Sequence, residues 1–353
     1  MSGQREFQIA VLGGDGIGPE VVRESVRVLR ATEAKLAGVR FELAEYAAGA
    51  GEYLRTGEDL PETVMQACRQ ADAILLGAMG LPDVRRPGGT EIAPQLDLRE
   101  GLELYAGVRP ARLYHPAHSP LRRYGAGEID FVVFRENTEG MFSSRKQSHP
   151  PGADRVCDTL LVTRIGAERI SRAAFRAAQR RRKLVTLVDK ANVLPSMAYF
   201  RSVFYEVARE FPDVQAETVY VDAAALYLVR QPHRFDVLVM ENLFGDILSD
   251  LAAGLVGGMG IAPSGDIGDR HAMFQPAHGS APDIAGLGVA NPIATILSVA
   301  MMLEWLPGEE TSRGAAMIRR AVEAALANPA NATPDIGGEL TSSQMTDRVL
   351  AAL

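Results

Sequence analysis

Short apolar runs alternate with longer stretches of helical period along the chain, and this alternation constrains the fold more than any single motif. Phe7 to Leu12 reads as a strand, and Glu20 to Leu36 as a helix with Val21, Val22, Val26, Val28 and Leu29 as its apolar stripe. Ala73 to Leu76 predicts a buried strand, followed by a Gly- and Pro-rich loop from Gly77 to Pro94. Phe131 to Phe134 and Leu184 to Val188 predict two more buried strands, with the arginine-rich helix Arg164 to Arg182 between them. Val237 to Met240 is a further strand that runs through Glu241-Asn242 into a helix from Phe244. Pro292 to Leu306 is an apolar helix too short for the roughly 20 residues that cross a bilayer, so it reads as core. The pattern is α/β. At 353 residues the chain exceeds one ordinary core, which predicts two lobes or one large α/β domain.

Composition narrows the function. A net charge of -7 argues against a nucleic-acid partner, which needs a basic face, and no apolar run is long enough for a membrane helix. The start, MSGQREFQIAVLGG, moves straight into a strand-like segment without a basic n-region or apolar h-region, so the expected compartment is cytoplasmic. Cys68 and Cys157 make neither a disulfide framework nor a thiolate metal site. Of the 37 basic residues only Lys35, Lys146, Lys183 and Lys190 are lysine, so a lysine in an apolar setting needs a reason.

Five segments carry candidate chemistry, each with a plain structural alternative. Gly14-Asp-Gly-Ile-Gly18, between a strand and a helix, is either a degenerate dinucleotide fingerprint or a tight turn that glycine permits. Asp246 and Asp250 are one helical turn apart, where two like charges repel unless a cation sits between them. Oxygen-only ligands suit Mg²⁺ or Mn²⁺, although the helix macrodipole alone could account for Asp246. Arg99, Arg109 and Arg135 follow or end apolar stretches, where a guanidinium either meets an anion or reaches solvent. Lys190 continues the strand ending at Val188, as a desolvated base or a snorkelling edge residue. His278-Gly-Ser-Ala-Pro-Asp283, with Asn291-Pro beyond it, is either a platform for a nucleoside or a turn-rich loop.

Taken in order, GGDGIGPE, LYAGVRP, DFVVFRENTEG, VDKANVLP, YVDAAALYLV, ENLFGDILSDLAAGLVGGMGIAPS, HGSAPDIAG and NP closely resemble the β-decarboxylating dehydrogenases of (2R)-hydroxy acids, the isocitrate/isopropylmalate dehydrogenase family, over nearly the whole chain. The resemblance implies a two-lobed, non-Rossmann α/β fold with a mixed sheet flanked by helices. Residues 1–104 plus 257–353 would form the cofactor-binding lobe, and 105–256 the central lobe with the dimer interface. It implies a homodimer with shared active sites. Arg99, Arg109 and Arg135 would hold malate carboxylates, and Asp246 and Asp250, with Asp222 from the neighbouring subunit, would bind Mg²⁺ or Mn²⁺. Lys190, also from the neighbour, would take part in proton transfer. His278, Gly279, Ser280, Ala281, Asp283 and Asn291, with Asn192, would bind the cofactor. Asp283-Ile284 stands where NADP-using relatives carry Lys-Tyr; a carboxylate there repels a 2′-phosphate and accepts a ribose hydroxyl, which implies NAD.

The chain departs from that family at one chemical position. Two residues beyond Gly140 its members carry a tyrosine that protonates C3 after decarboxylation; here the residue is Phe142, which has no proton to donate. Water, Lys190 or Ser143 are the substitutes, and a catalytically impaired, ligand-binding regulatory subunit is the alternative reading. The substrate-reading stretch Thr90 to Leu98 also differs. Ile92 stands at the glutamate of 3-isopropylmalate dehydrogenases, Gln95 replaces a leucine, and Leu96 keeps another but lacks the arginine of homoisocitrate enzymes. RENTEG and IAPSGDIG look closer to tartrate/D-malate and homoisocitrate enzymes. The pocket at Gln95 and Leu96 implies a malate with a small or semi-polar C3 substituent.

Overall fold

The computed structural model describes residues 5–147 and 152–353. From the N-terminus, β1 (Arg5–Gly14), α1 (Gly18–Glu33) and β2 (Val39–Tyr46) are followed by α2 (Ala50–Thr56), α3 (Glu62–Gln70), β3 (Ala73–Ala78) and α4 (Pro94–Gly101). The middle of the chain supplies β4 (Ala106–Arg112), β5 (Asp130–Glu136), α5 (Arg164–Gln179), β6 (Leu184–Asp189), α6 (Pro195–Ala208), β7 (Gln215–Tyr220), α7 (Val221–Arg230), β8 (Val237–Met240) and α8 (Asn242–Val256). Then come β9 (Pro263–Ile267), β10 (Ala272–Pro276), α9 (Ile293–Trp305), α10 (Glu309–Leu326) and α11 (Ser342–Ala352).

The described strands form one ten-stranded sheet in the order β2-β1-β3-β10-β9-β4-β5-β8-β6-β7. Both wings pair in parallel, and β10, β9, β4 and β5 pair antiparallel through the middle. This is a mixed sheet, not an all-parallel dinucleotide fold. The wings hold strands that read as unbroken apolar runs, because β3 and β8 are buried along their whole length. The middle strands read otherwise: β4 is AGVRPAR and β9 is PSGDI, with no apolar run to reveal them.

The structure adjusts several expected boundaries. α1 stops at Glu33, short of Leu36, and α5 stops at Gln179, short of Arg182. α8 starts at Asn242 because Glu241 caps it: its carboxylate accepts the Phe244 N–H at 2.7 Å and the Leu243 N–H at 3.0 Å. α9 is buried from Ile293 through Leu303, a core helix as expected, and no described helix is long and apolar enough to cross a membrane. Elements from the two ends of the chain share one apolar cluster, including Phe41, Phe274, Leu297 and Val322. The middle builds two others, around Phe175 and Phe204 and around Phe131 and Phe235.

Candidate active site

Strand register puts the polar residues of the site on one face of the sheet. Asp266 of β9 lies opposite Gly107 of β4, and Gly107 lies opposite Arg135 of β5. Directly opposed residues share a face, as do residues two apart, so Arg109 joins the row. Gln275 joins it too, two residues beyond the Met273 that pairs with Asp266. Gly107 leaves space that a side chain would fill, since a Cβ there would stand 2.7 Å from Asn137 Oδ1. Beside α8, which packs on β4 and β5, a cleft of about 250 Å³ opens. Its border includes Gln95, Leu96, Arg99, Arg109, Arg135, Phe142, Asp246, Asp250, Gln275, His278 and Gly279.

All three arginines are buried, but they do not all sit at strand ends. Arg99 is on the helix α4, Arg109 is in the middle of β4, and Arg135 is next to last in β5. Arg99 Nε donates to Asp266 at 3.0 Å, and this fully buried carboxylate also accepts from Asn137 Nδ2 and Gln275 Nε2, each at 2.7 Å. Arg135 donates from Nε and Nη2 to Asn242 Oδ1 at 2.9 and 2.7 Å, while its Nη1 pairs with Asp246. Arg109 donates to Ser249 Oγ at 3.3 Å and lies 3.8 Å from Asp250; its buried Nε finds no partner among the described residues. Burial, with Arg109 and Arg99 nearby, pushes the Arg135 guanidinium down to about 9, and burial and Arg99 lower Arg109 in the same way. Arg109 and Arg135 nonetheless remain cations at neutral pH. A cluster of desolvated cations with an open donor is built to receive an anion.

Asp246 and Asp250 face this cleft from α8, one turn apart as their spacing predicts. Burial pushes the Asp250 carboxyl above its ordinary value; Arg109 opposes this and Asp246 adds to it. Two adjacent carboxylates with only oxygen donors suit a hard divalent cation. Among the described residues, no three His, Cys, Asp or Glu side chains converge on one point.

The structure does not bring Lys190, Asn192 or Asp222 to the cleft border. Lys190 Nζ donates to Asp222 at 2.6 Å, and this bond holds the exposed Asp222 carboxyl below its ordinary value. Asn192 is exposed in the turn after β6. Of the nucleoside-loop candidates, His278 and Gly279 border the cleft, and Ser280 is pinned beneath it: its oxygen accepts the Ile17 N–H at 2.8 Å and its hydroxyl donates to Gly80 O. Gly16, at φ 58°, allows that approach, because a Cβ would fall 1.9 Å from Ser280 O. Asp15 beside it accepts the N–H groups of Ala50, Gly51 and Gly80 at 2.7, 2.8 and 2.8 Å. The glycine segment is thus a tight turn that clamps two loops. Burial keeps the His278 ring below its ordinary value, and its Nε2 is buried without a described partner. Ala281 takes φ 38° and Asp283 is exposed. Asn291 is committed internally, accepting the Ile293 N–H at 3.1 Å and donating to Asp335 at 3.1 Å.

Residues 8–349 match the family model described as isocitrate/isopropylmalate dehydrogenase. The chain belongs to the isocitrate/isopropylmalate dehydrogenase family. It is 42% identical over 363 residues to 3-isopropylmalate dehydrogenase of Aquifex aeolicus, spanning 99% of this chain and 98% of that protein. Among solved structures, isocitrate dehydrogenase from Methylococcus capsulatus superposes with a TM-score of 0.87 at 37% identity, over 98% of this chain and 99% of that one. A β-decarboxylating dehydrogenase from Thermococcus kodakarensis, in its apo form, gives 0.80 at 40% identity, over 98% and 96%.

Membership makes this chain an oxidoreductase of the decarboxylating type and turns attention to Phe142. Its ring lies 5.1 Å from the Arg135 guanidinium, in a 3-10 turn at the cleft border. The nearby Ser143 hydroxyl donates to Gly140 O at 2.8 Å. Sequence reading missed Asp266, Asn242, Asn137 and Gln275, which orient the arginines or support what does. The only signal for Asp266 was an acid within a short segment bounded by Pro and Gly, and that shows itself only once β9 is known to be buried.

Proposed function

We propose that the protein catalyses NAD- and divalent-metal-dependent oxidative decarboxylation of a (2R)-malate-type acid, 3-isopropylmalate or a related 3-substituted malate, to a 2-keto acid, CO₂ and NADH. The observation that carries this reading is the convergence of three buried guanidinium groups and two helix-borne carboxylates in one cleft. Arg99, Arg109 and Arg135 bind and orient the two malate carboxylates, with the free Nε–H of Arg109 as an available donor. Asp246 and Asp250, with Asp222 of the partner subunit, would hold Mg²⁺ or Mn²⁺. That ion would supply Lewis acidity to the substrate. His278 to Asp283 would hold NAD, which would supply the hydride acceptor for C2. Lys190 of the partner subunit removes the hydroxyl proton, directly or through water. Phe142 lies against the Arg135 guanidinium and has no proton to give, so C3 takes its proton from water, Lys190 of the partner subunit or Ser143.

His278 to Asp283 and Asn291, with Asn192 of the partner subunit, bind the adenosine side of the cofactor; the exposed Asp283 carboxylate selects NAD over a 2′-phosphorylated dinucleotide. A homodimer with shared sites accounts for the separation of Lys190 and Asp222 from their own cleft. Exposed Leu226 and Val229 on α7 and Ile247 on α8 supply apolar surface for the contact. The lobes would be 1–104 with 257–353, and 105–256, with the cytoplasm as the working compartment.

The test is NADH formation and CO₂ release with Mn²⁺ on D-malate, tartrate, 3-isopropylmalate, isocitrate and homoisocitrate. Failure on all five rejects the reading. Phe142 favours one alternative, a ligand-binding regulatory subunit; that reading stands if the wild type binds these acids but turns over no faster than a Lys190→Ala variant.

A further inference from the structure

A smaller chamber of about 110 Å³ opens beside the cleft, several times the roughly 10–15 Å³ that one water needs. Leu96 and Phe142 border both spaces, whereas His278 and Gly279 border only the cleft, so the chamber lies on a side that this part of the cofactor loop does not reach. It is bordered by the apolar Leu96 and Phe142, by the polar but uncharged Asn137, Thr138 and Ser143, and by Glu100 of α4 together with Arg145 and Lys146. Two cations at a rim suggest a seat for an anion, but both are already taken. Lys146 Nζ donates to Glu100 at 2.7 Å and stands 3.2 Å from Asp97. Arg145 donates to Asp97 at 2.9 Å and also pairs with Glu100. Arg86, 3.9 Å from Asp97, is held at 2.5 Å by Asp59. Among the described residues the charges at this rim balance. The Glu100 bond also raises the Lys146 ammonium above its ordinary value.

From this geometry we propose that Asp97 and Glu100 form a charge filter. By occupying Arg145 and Lys146 they let the chamber accept a neutral C3 substituent and turn away one that ends in a third carboxylate. The inference rests on the malate-type reading above and deepens it. A third carboxylate entering the chamber would meet the Glu100 carboxylate at its border and only cations that Asp97 and Glu100 already hold, and discrimination of this kind works through the unfavourable contact offered to the wrong ligand.

The experiment compares kcat/KM for 3-isopropylmalate and isocitrate in the wild type, in Glu100→Gln and in the Asp97→Asn/Glu100→Gln double variant. Glu100 is exposed, so the single substitution keeps the fold, and a thermal melt of each variant checks this. The ratio of isocitrate to 3-isopropylmalate should rise by about tenfold in Glu100→Gln and further in the double variant, mainly through the KM for isocitrate. Glu100→Asp, which keeps the charge, should leave the ratio within about twofold. In parallel, the inhibition constant of isocitrate against 3-isopropylmalate should fall. An unchanged ratio in a double variant that still turns over 3-isopropylmalate overturns the filter alone. A wild type inert on D-malate, tartrate, 3-isopropylmalate, isocitrate and homoisocitrate overturns the malate-type reading, and the filter with it.

Discussion

Arg135 and Lys190 are both cations of the candidate site, yet they stand in opposite settings. Arg135 is 1% exposed and held by Asn242 and Asp246; Lys190 sits at the surface against Asp222, whose side chain is 69% exposed. A buried charge left without partners costs several kcal/mol, so the arginine cluster is completed within its own chain by Asp266, Asn242 and Ser249. An exposed pair is worth about 0–1 kcal/mol to its own fold, which leaves Lys190 and Asp222 free to serve another surface. The difference separates what the monomer must build to fold from what it can lend.

The sharpest break of that comparison is Lys190→Ala. It should lower kcat by roughly 10²–10⁴-fold and change the urea midpoint little, because the pair is exposed. Mixing that variant with Asp250→Asn should restore about a quarter of wild-type activity if heterodimers each assemble one intact site, and no recovery would show that sites are not shared. Asp266→Ala gives the opposite profile. It strands the buried Arg99 guanidinium, so urea unfolding should show a loss of about 3–5 kcal/mol.

Phe142→Tyr probes the border between the two regions. The ring faces open space in both the cleft and the chamber, so a hydroxyl has room, and keto-acid release should quicken by about tenfold if C3 protonation limits turnover. The smallest effect concerns Asp250. Its folded-state carboxyl is raised above the ordinary value, so its contribution to stability is present below the unfolded pKa and lost as pH rises through the raised one. Cation-free protein should therefore lose a few tenths of a kcal/mol from acid towards neutral pH, a slope that Asp250→Asn removes and that Mn²⁺ offsets; melts across that range would show it.

Sequence legibility followed burial. β3, β6 and β8 could be read because parallel strands covered on both faces must be apolar throughout. The edge strands β2 and β7, VRFELAEY and QAETVY, carry charge on their open sides, and the middle strands β4 and β9 carry residues of the site, so these four show no apolar run, whereas β5 kept one at Phe131 to Phe134. Asp246 and Asp250 were visible because i and i+4 is a local relation that helix geometry alone defines. Asn242 and Asp266 were not, since nothing in their own neighbourhoods says that an arginine lies 107 or 167 positions away.

By itself, then, the sequence determined the α/β alternation, the helix-borne carboxylate pair and the arginines, all properties of residue type and short-range period, while the missing hydroxyl at Phe142 showed only through the family resemblance. Only the tertiary structure decided which face the arginines share, which anions hold them, that Lys190 and Asp222 lie apart from their own cleft, and that Glu100 and Asp97 already occupy the cations at the border of the adjoining chamber. These depend on strand register and on contacts between distant segments, which packing of the whole chain sets and no local pattern encodes.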